Sequence, residues 1–142
     1  MRKLIEAEKI STDNKSLKVS CYITPSNGKN VHRFNIASAD RLYDFTKTRK
    51  SKLKLFDLCN QVIHSYIFDP TFDQELNLVG FWVSSDYKRH TALYNFILQD
   101  IIDVLELLGK DYPNYMTSSY NIKKRDYVLN QYMIDESKQN EC

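Results

Sequence analysis

The stretch "VGFWVSSDYKRHTALYNFIL" (79–98) decides how the chain is read. An apolar run breaks at Ser84-Ser85-Asp86, three potential cations follow at Lys88, Arg89 and His90, and a second apolar segment begins at Thr91. The nearly continuous apolar segment 76–83 predicts a central strand covered on both faces. Leu93, Phe96, Ile97, Ile101, Val104, Leu105 and Leu108 recur at helical spacing and predict a helix from about 87 to 108, with Gly109 as its C′ residue. Cations at the start of such a helix oppose its dipole, which favours Asp or Glu there. Their presence marks 84–90 as a candidate anion site.

Working outward, "LKVSCYIT" (17–24) alternates apolar and polar residues, as a half-buried strand does. "PSNG" (25–28) is turn chemistry and "KNVHRFNI" (29–36) alternates again, so the pair predicts a β-hairpin. Residues 37–45 lean towards a strand or extended segment, and "TKTRKSKLK" (46–54) reads as a basic connection. Leu55, Leu58, Cys59, Val62 and Tyr66 predict a helix over 52–68, stopped by Asp69-Pro70. At the start, residues 1–10 read as a short helix or edge strand and "STDNKS" (11–16) as a loop. Beyond Gly109, 110–125 reads as a loop, 126–134 as a last strand and 135–142 as a polar, frayed tail. The predicted fold is a single α+β domain over 1–134. It has a mostly antiparallel sheet, made of the N-terminal hairpin, a central strand and a C-terminal strand, with two main helices on one face.

At 142 residues the chain is long enough to bury a core without staples. Its net charge of +2 is too mild to imply a nucleic-acid partner by itself. Three cysteines, Cys21, Cys59 and Cys142, are odd in number and lack C-x-x-C spacing, which predicts reduced thiols and a cytoplasmic location. No signal-peptide core or membrane-spanning apolar run is present, so no membrane partner is expected. His32, His64 and His90 fall in separate elements without metal-ligand spacing, and no phosphate loop, nucleophile elbow or dinucleotide fingerprint occurs. Neither a metal nor a cofactor is expected.

Three constellations remain. At the opening stretch, backbone N–H groups at a helix start, the hydroxyls of Ser84 and Ser85, and the charges of Lys88 and Arg89 suit an anion. Were this an enzyme, Tyr87, Arg89 and His90 would serve a metal-independent phosphodiesterase or ribonuclease as proton donor, charge stabiliser and base. In the second constellation, Lys47, Arg49, Lys50, Lys52 and Lys54 follow Tyr43 and Phe45, a mixture that suits single-stranded nucleic acid or an acidic protein surface. Lys123, Lys124 and Arg125 repeat it more weakly. Third, Tyr112, Tyr115, Tyr120, Tyr127 and Tyr132 crowd the last part of the chain, and tyrosine is enriched at binding surfaces.

The segment "FWVSSDYKRHTALYNFIL", preceded by "FDLCNQVIHSYIF", resembles the centre of some small uncharacterised bacterial α/β proteins over about residues 55–98. In those proteins a strand ending near Ser is followed by Arg or Lys and then by Leu-Tyr in a helix. Where they often place Thr directly after the Arg, this chain has His90 and then Thr91. The resemblance implies the order helix, strand, helix, implies no activity and carries over no functional residue. The leading expectation is a small non-catalytic binding or accessory protein. It would act through basic and tyrosine-rich surfaces on an acidic protein or a nucleic acid, in the manner of phage or mobile-element modulators.

Overall fold

A computed structural model describes residues 1–7 and 9–134; the tail expected at 135–142 lies outside the described residues. The fold is α+β with a mainly antiparallel sheet, the class the sequence predicts. The chain divides into two compact units, Lys18–Val104 and a smaller one made of Met1–Leu17 with Leu105–Cys142.

The larger unit holds β1 (Lys18–Pro25), α3 (Ala39–Leu42), β2 (Arg49–Lys54), α4 (Leu55–Ile63), β3 (Ser65–Phe72), β4 (Leu78–Ser85) and β5 (Ala92–Ile97). Five antiparallel strands run in the order β2-β1-β5-β4-β3. The first correction concerns 87–108. Residues 87–91 are turn, 92–97 form the central strand β5, and only Leu98–Gly109 is helical (α5). Leu93, Tyr94 and Phe96 are all buried because β5 is flanked on both sides and covered on both faces. A strand buried in this way has no period of two to betray it.

The second correction concerns the hairpin. β1 forms as predicted, and Gly28 takes the positive φ of 86° that the turn needs. Residues 29–36, however, form no strand, since both edges of β1 are already occupied by β2 and β5. Instead they turn back over the sheet, followed by a 3-10 turn at Ile36–Ser38 and by α3 where an extended segment is predicted. The basic connection is likewise a strand, β2. The helix expected over 52–68 ends at Ile63, and Pro70 sits inside β3. Proline is tolerated there because β3 is an edge strand with one side unpaired.

Each sheet face has its own cover. On one, Val31, Leu42 and Tyr43 pack on Ile67 and Leu93, with Ile36, Ala39, Tyr66 and Trp82 around them. On the other lies α4, burying Leu55, Leu58, Cys59 and Gln61 beside the strands that carry Val19, Cys21, Val83, Tyr94 and Phe96. Burial pushes the pKa of the Cys21 thiol up, which suits an inert core residue.

The smaller unit holds α1 (Arg2–Glu6), α2 (Thr12–Lys15) and a hairpin of β6 (Tyr115–Asn121) and β7 (Asp126–Tyr132). The predicted last strand is thus present, but it pairs with β6 rather than joining the main sheet. β6 lies where the sequence predicts a loop: its Ser, Thr, Asn and Tyr residues show no apolar face, and in the structure they are mostly exposed. The Gln131 N–H donates to Thr12 Oγ1 at 3.0 Å, tying α2 to the hairpin.

At Gly80 in β4 an added Cβ would lie 2.3 Å from the Phe96 carbonyl oxygen of β5. Gly80→Ala is therefore expected to cost about 2 kcal/mol of stability through overpacking. By contrast Gly109→Ala, with nothing within 4 Å of the added carbon, should be neutral or raise stability by about 0.5 kcal/mol. Urea denaturation of the two variants checks the contrast.

Candidate functional site

The loop 86–91 joins β4 to β5, so the cations at 88–90 sit in a hairpin connection and not at a helix start. Its backbone turns on Ser85, whose carbonyl accepts from the N–H groups of Lys88 (3.0 Å) and Arg89 (2.9 Å). Ser84 and Ser85 are both buried. The Ser84 hydroxyl donates to the Ala92 carbonyl at 2.8 Å, the Ser85 N–H donates to Gln61 Oε1 at 2.9 Å, and the Ser85 hydroxyl accepts from the Lys88 N–H at 3.3 Å.

Arg89 is the staple of this loop. Its Nη1 pairs with Asp86 Oδ1 at 2.9 Å, its Nε donates to His90 Nε2 at 3.0 Å, and its guanidinium lies 4.0 Å above the Tyr66 ring. Its carbonyl accepts the Tyr43 hydroxyl at 2.6 Å. The other ring nitrogen of His90, Nδ1, faces the Val31 N–H at 3.3 Å. A neutral imidazole has a single lone pair to offer, so these two donors compete for it. Tyr87 is 86% exposed, with Lys88 Nζ 5.5 Å from its ring centre. The charge of Arg89 is spent within the loop, and Tyr87 stands apart from Arg89 and His90.

Tyr43 does not join the basic surface: it is 2% exposed and belongs to the core. Burial pushes its hydroxyl up to about 12, against an ordinary value near 10.

The register turns the basic segment into a surface. Alternation along β2 puts Lys50, Lys52 and Lys54 on one face and Arg49, Ser51 and Leu53 on the other. Across the sheet, Lys50 pairs with Tyr22, Tyr22 with Asn95, Asn95 with Trp82, and Trp82 with Asp69. Paired residues share a face, so these five side chains form one transverse row about 19 Å long, four strand spacings of ~4.8 Å. Lys52 and Ser20 make the next row, and Lys18 stands opposite Lys54. Among the described residues no carboxylate pairs with any of these lysines. Two like charges directly opposite each other destabilise a strand pair, and an anion would relieve that cost. Lys47, by contrast, is held by Asp44 at 2.9 Å.

Beside the row lies a cleft of about 570 Å³ whose walls include Phe45, Tyr66, Asp69 and Trp82. Phe45 meets Trp82 edge-on, with centroids 5.4 Å apart. In the smaller unit, Lys123, Lys124 and Arg125 occupy the β6–β7 turn, which Arg125 closes with a φ of 52°. Tyr120 packs edge-on against Tyr127, and the rings of Tyr115 and Tyr132 lie tilted with centroids 6.4 Å apart. Among the described residues no group of three or more His, Cys, Asp and Glu side chains is placed to hold a metal. Among the described residues no helix is long and apolar enough to cross a membrane.

Sequence reading thus found the lysines of β2 but missed Tyr22, Asp69, Trp82 and Asn95. The alternation of "KSKLK" with lysine at every second position was a signal for a strand; nothing local pointed to the other four. No protein-family model, curated protein or solved structure matches the chain.

Tyr43 supplies a test of the loop. Unfolded tyrosines ionise near pH 10, whereas folded Tyr43 keeps its proton up to about 12. Its contribution to stability is therefore whole below pH ~10 and is lost as pH climbs through that window. Tyr43→Phe should cost about 1 kcal/mol at neutral pH and flatten part of the alkaline decline. Tyr94, also raised by burial, supplies some of the remainder. Denaturation curves across the alkaline range measure both effects.

Proposed function

We propose that the chain is a non-catalytic binding protein whose basic sheet face holds a single-stranded nucleic acid. The observation that carries this reading is the part of the transverse row formed by Lys50, Tyr22, Asn95 and Trp82, with Lys18, Lys52 and Lys54 beside it. Lysines at alternate positions of a strand recur every ~6.7 Å, a repeat suited to successive phosphates of an extended strand. Tyr22, 36% exposed, and Trp82 place rings inward of that line of charge. Base stacking on such rings is tolerant of sequence, and the cations neutralise the backbone. An acidic protein would use the lysines, whereas a nucleic acid would use the lysines together with the Tyr22 and Trp82 rings; the Asn95 amide already donates to the Phe81 carbonyl at 3.4 Å.

The loop 84–90 supports catalysis less well. A phosphodiesterase needs an acid, a base and a charge stabiliser aimed at one phosphorus. Arg89 is paired with Asp86, both nitrogens of His90 face donors, and Tyr87 points to solvent.

Lys50→Glu with Lys52→Glu should weaken binding of oligo(dT) by tenfold or more. In the unmodified protein log K should fall with log salt at a slope of about −2, if three lysines each meet a phosphate of single-stranded DNA. Fluorescence anisotropy of a labelled oligonucleotide measures both. Binding that ignores salt and survives the charge reversal would sink the proposal.

A further inference from the structure

Asp69 is out of place on a face that meets phosphates. It ends the transverse row at β3, lines the aromatic cleft, and is exposed. Among the described residues no cation or hydrogen-bond donor engages its carboxylate. A carboxylate beside a bound polyanion repels it, unless it meets a group that offers hydrogen-bond donors. In single-stranded DNA, which lacks the ribose 2′-hydroxyl, those groups are on the bases. We propose that the cleft bounded by Phe45, Tyr66 and Trp82 takes one unpaired guanine, with Asp69 accepting from its Watson–Crick edge.

This inference rests on the nucleic-acid reading of the same face. Guanine alone presents two adjacent donors on that edge, N1–H and the N2 amino group, and a carboxylate has two oxygens to meet them. Adenine, cytosine and thymine each offer one donor there, next to an acceptor that a carboxylate repels. The rings supply stacking for any base, so the cleft retains a base and Asp69 selects it. Asn95 and Tyr22 separate the cleft from Lys50, so a strand that leaves the lysines of β2 crosses these two residues before one base enters the cleft. The charge gradient along the row, from Lys50 to Asp69, sets that orientation.

Trp82 is the one tryptophan of the chain, so its fluorescence reports on the cleft. The experiment titrates the full chain with oligo(dT) and with the same oligomer carrying one central dG, dA or dC. The dG oligomer should bind about tenfold more tightly than the others, as expected for a bidentate base contact, and should quench Trp82 most. Asp69→Asn, an isosteric change at an exposed site, should bring all four oligomers to within twofold of one another. Circular dichroism checks that the variant folds. Equal affinity for the four oligomers, or a dG preference that survives Asp69→Asn, overturns the guanine assignment and leaves the lysine face standing. If no oligomer binds, the nucleic-acid reading falls and takes this inference with it.

Discussion

β5 is hydrogen-bonded on both sides, to β1 and to β4, and every row that crosses the sheet passes through it. Without it the larger unit would be two separate strand pairs. Its side chains must satisfy two covered faces at once: Leu93 meets the segment 31–43, while Tyr94 and Phe96 face the α4 side. Close pairing also dictates the glycine at position 80, whose missing Cβ leaves room for the Phe96 carbonyl. The loop that feeds this strand inherits the same constraint.

That loop explains why cations follow Ser84 and Ser85. No helix dipole opposes them, because no helix starts there. Arg89 closes the turn by pairing with Asp86, stacking on Tyr66 and offering its carbonyl to Tyr43. Tyr43 in turn ties the segment covering the sheet to the loop joining its central strands. Cation-π contact at a partly sheltered site and a short hydrogen bond to a buried hydroxyl each contribute on the order of 1 kcal/mol. The residues that looked most like a ligand site hold the turn together, and the basic segment that looked like a connection lies at the exposed end of the face whose other end residues 31–43 cover.

How much was legible in the sequence follows from where the information lies. β1 and the core of α4 announced themselves through local periodicity, β4 through a nearly continuous apolar run, β7 through β-prone residues, and Asn27-Gly28 through turn chemistry. β5 did not, since a strand buried on both faces and running into a helix produces apolar spacing that fits either period. Pro70 argued for a boundary and instead lies in an edge strand, a distinction that only the strand order makes. β6 lacks an apolar face altogether. The row from Lys50 to Asp69 gathers residues from five strands spread over 22–95, so no window of sequence contains it. Only the alternating lysines of β2 carried a local trace.

The central claim is that one sheet face, organised through β5, is the binding surface. The most direct measurement is NMR of the isotope-labelled chain during titration with oligo(dT), following backbone amides, the Asn95 side-chain amide and the Trp82 indole. The account predicts shifts concentrated at Tyr22, Lys50, Lys52, Asn95 and Trp82, with Ser51 and the α4 side little changed. Shifts confined to 84–90 or to the β6–β7 turn, or no shifts at all, would contradict it.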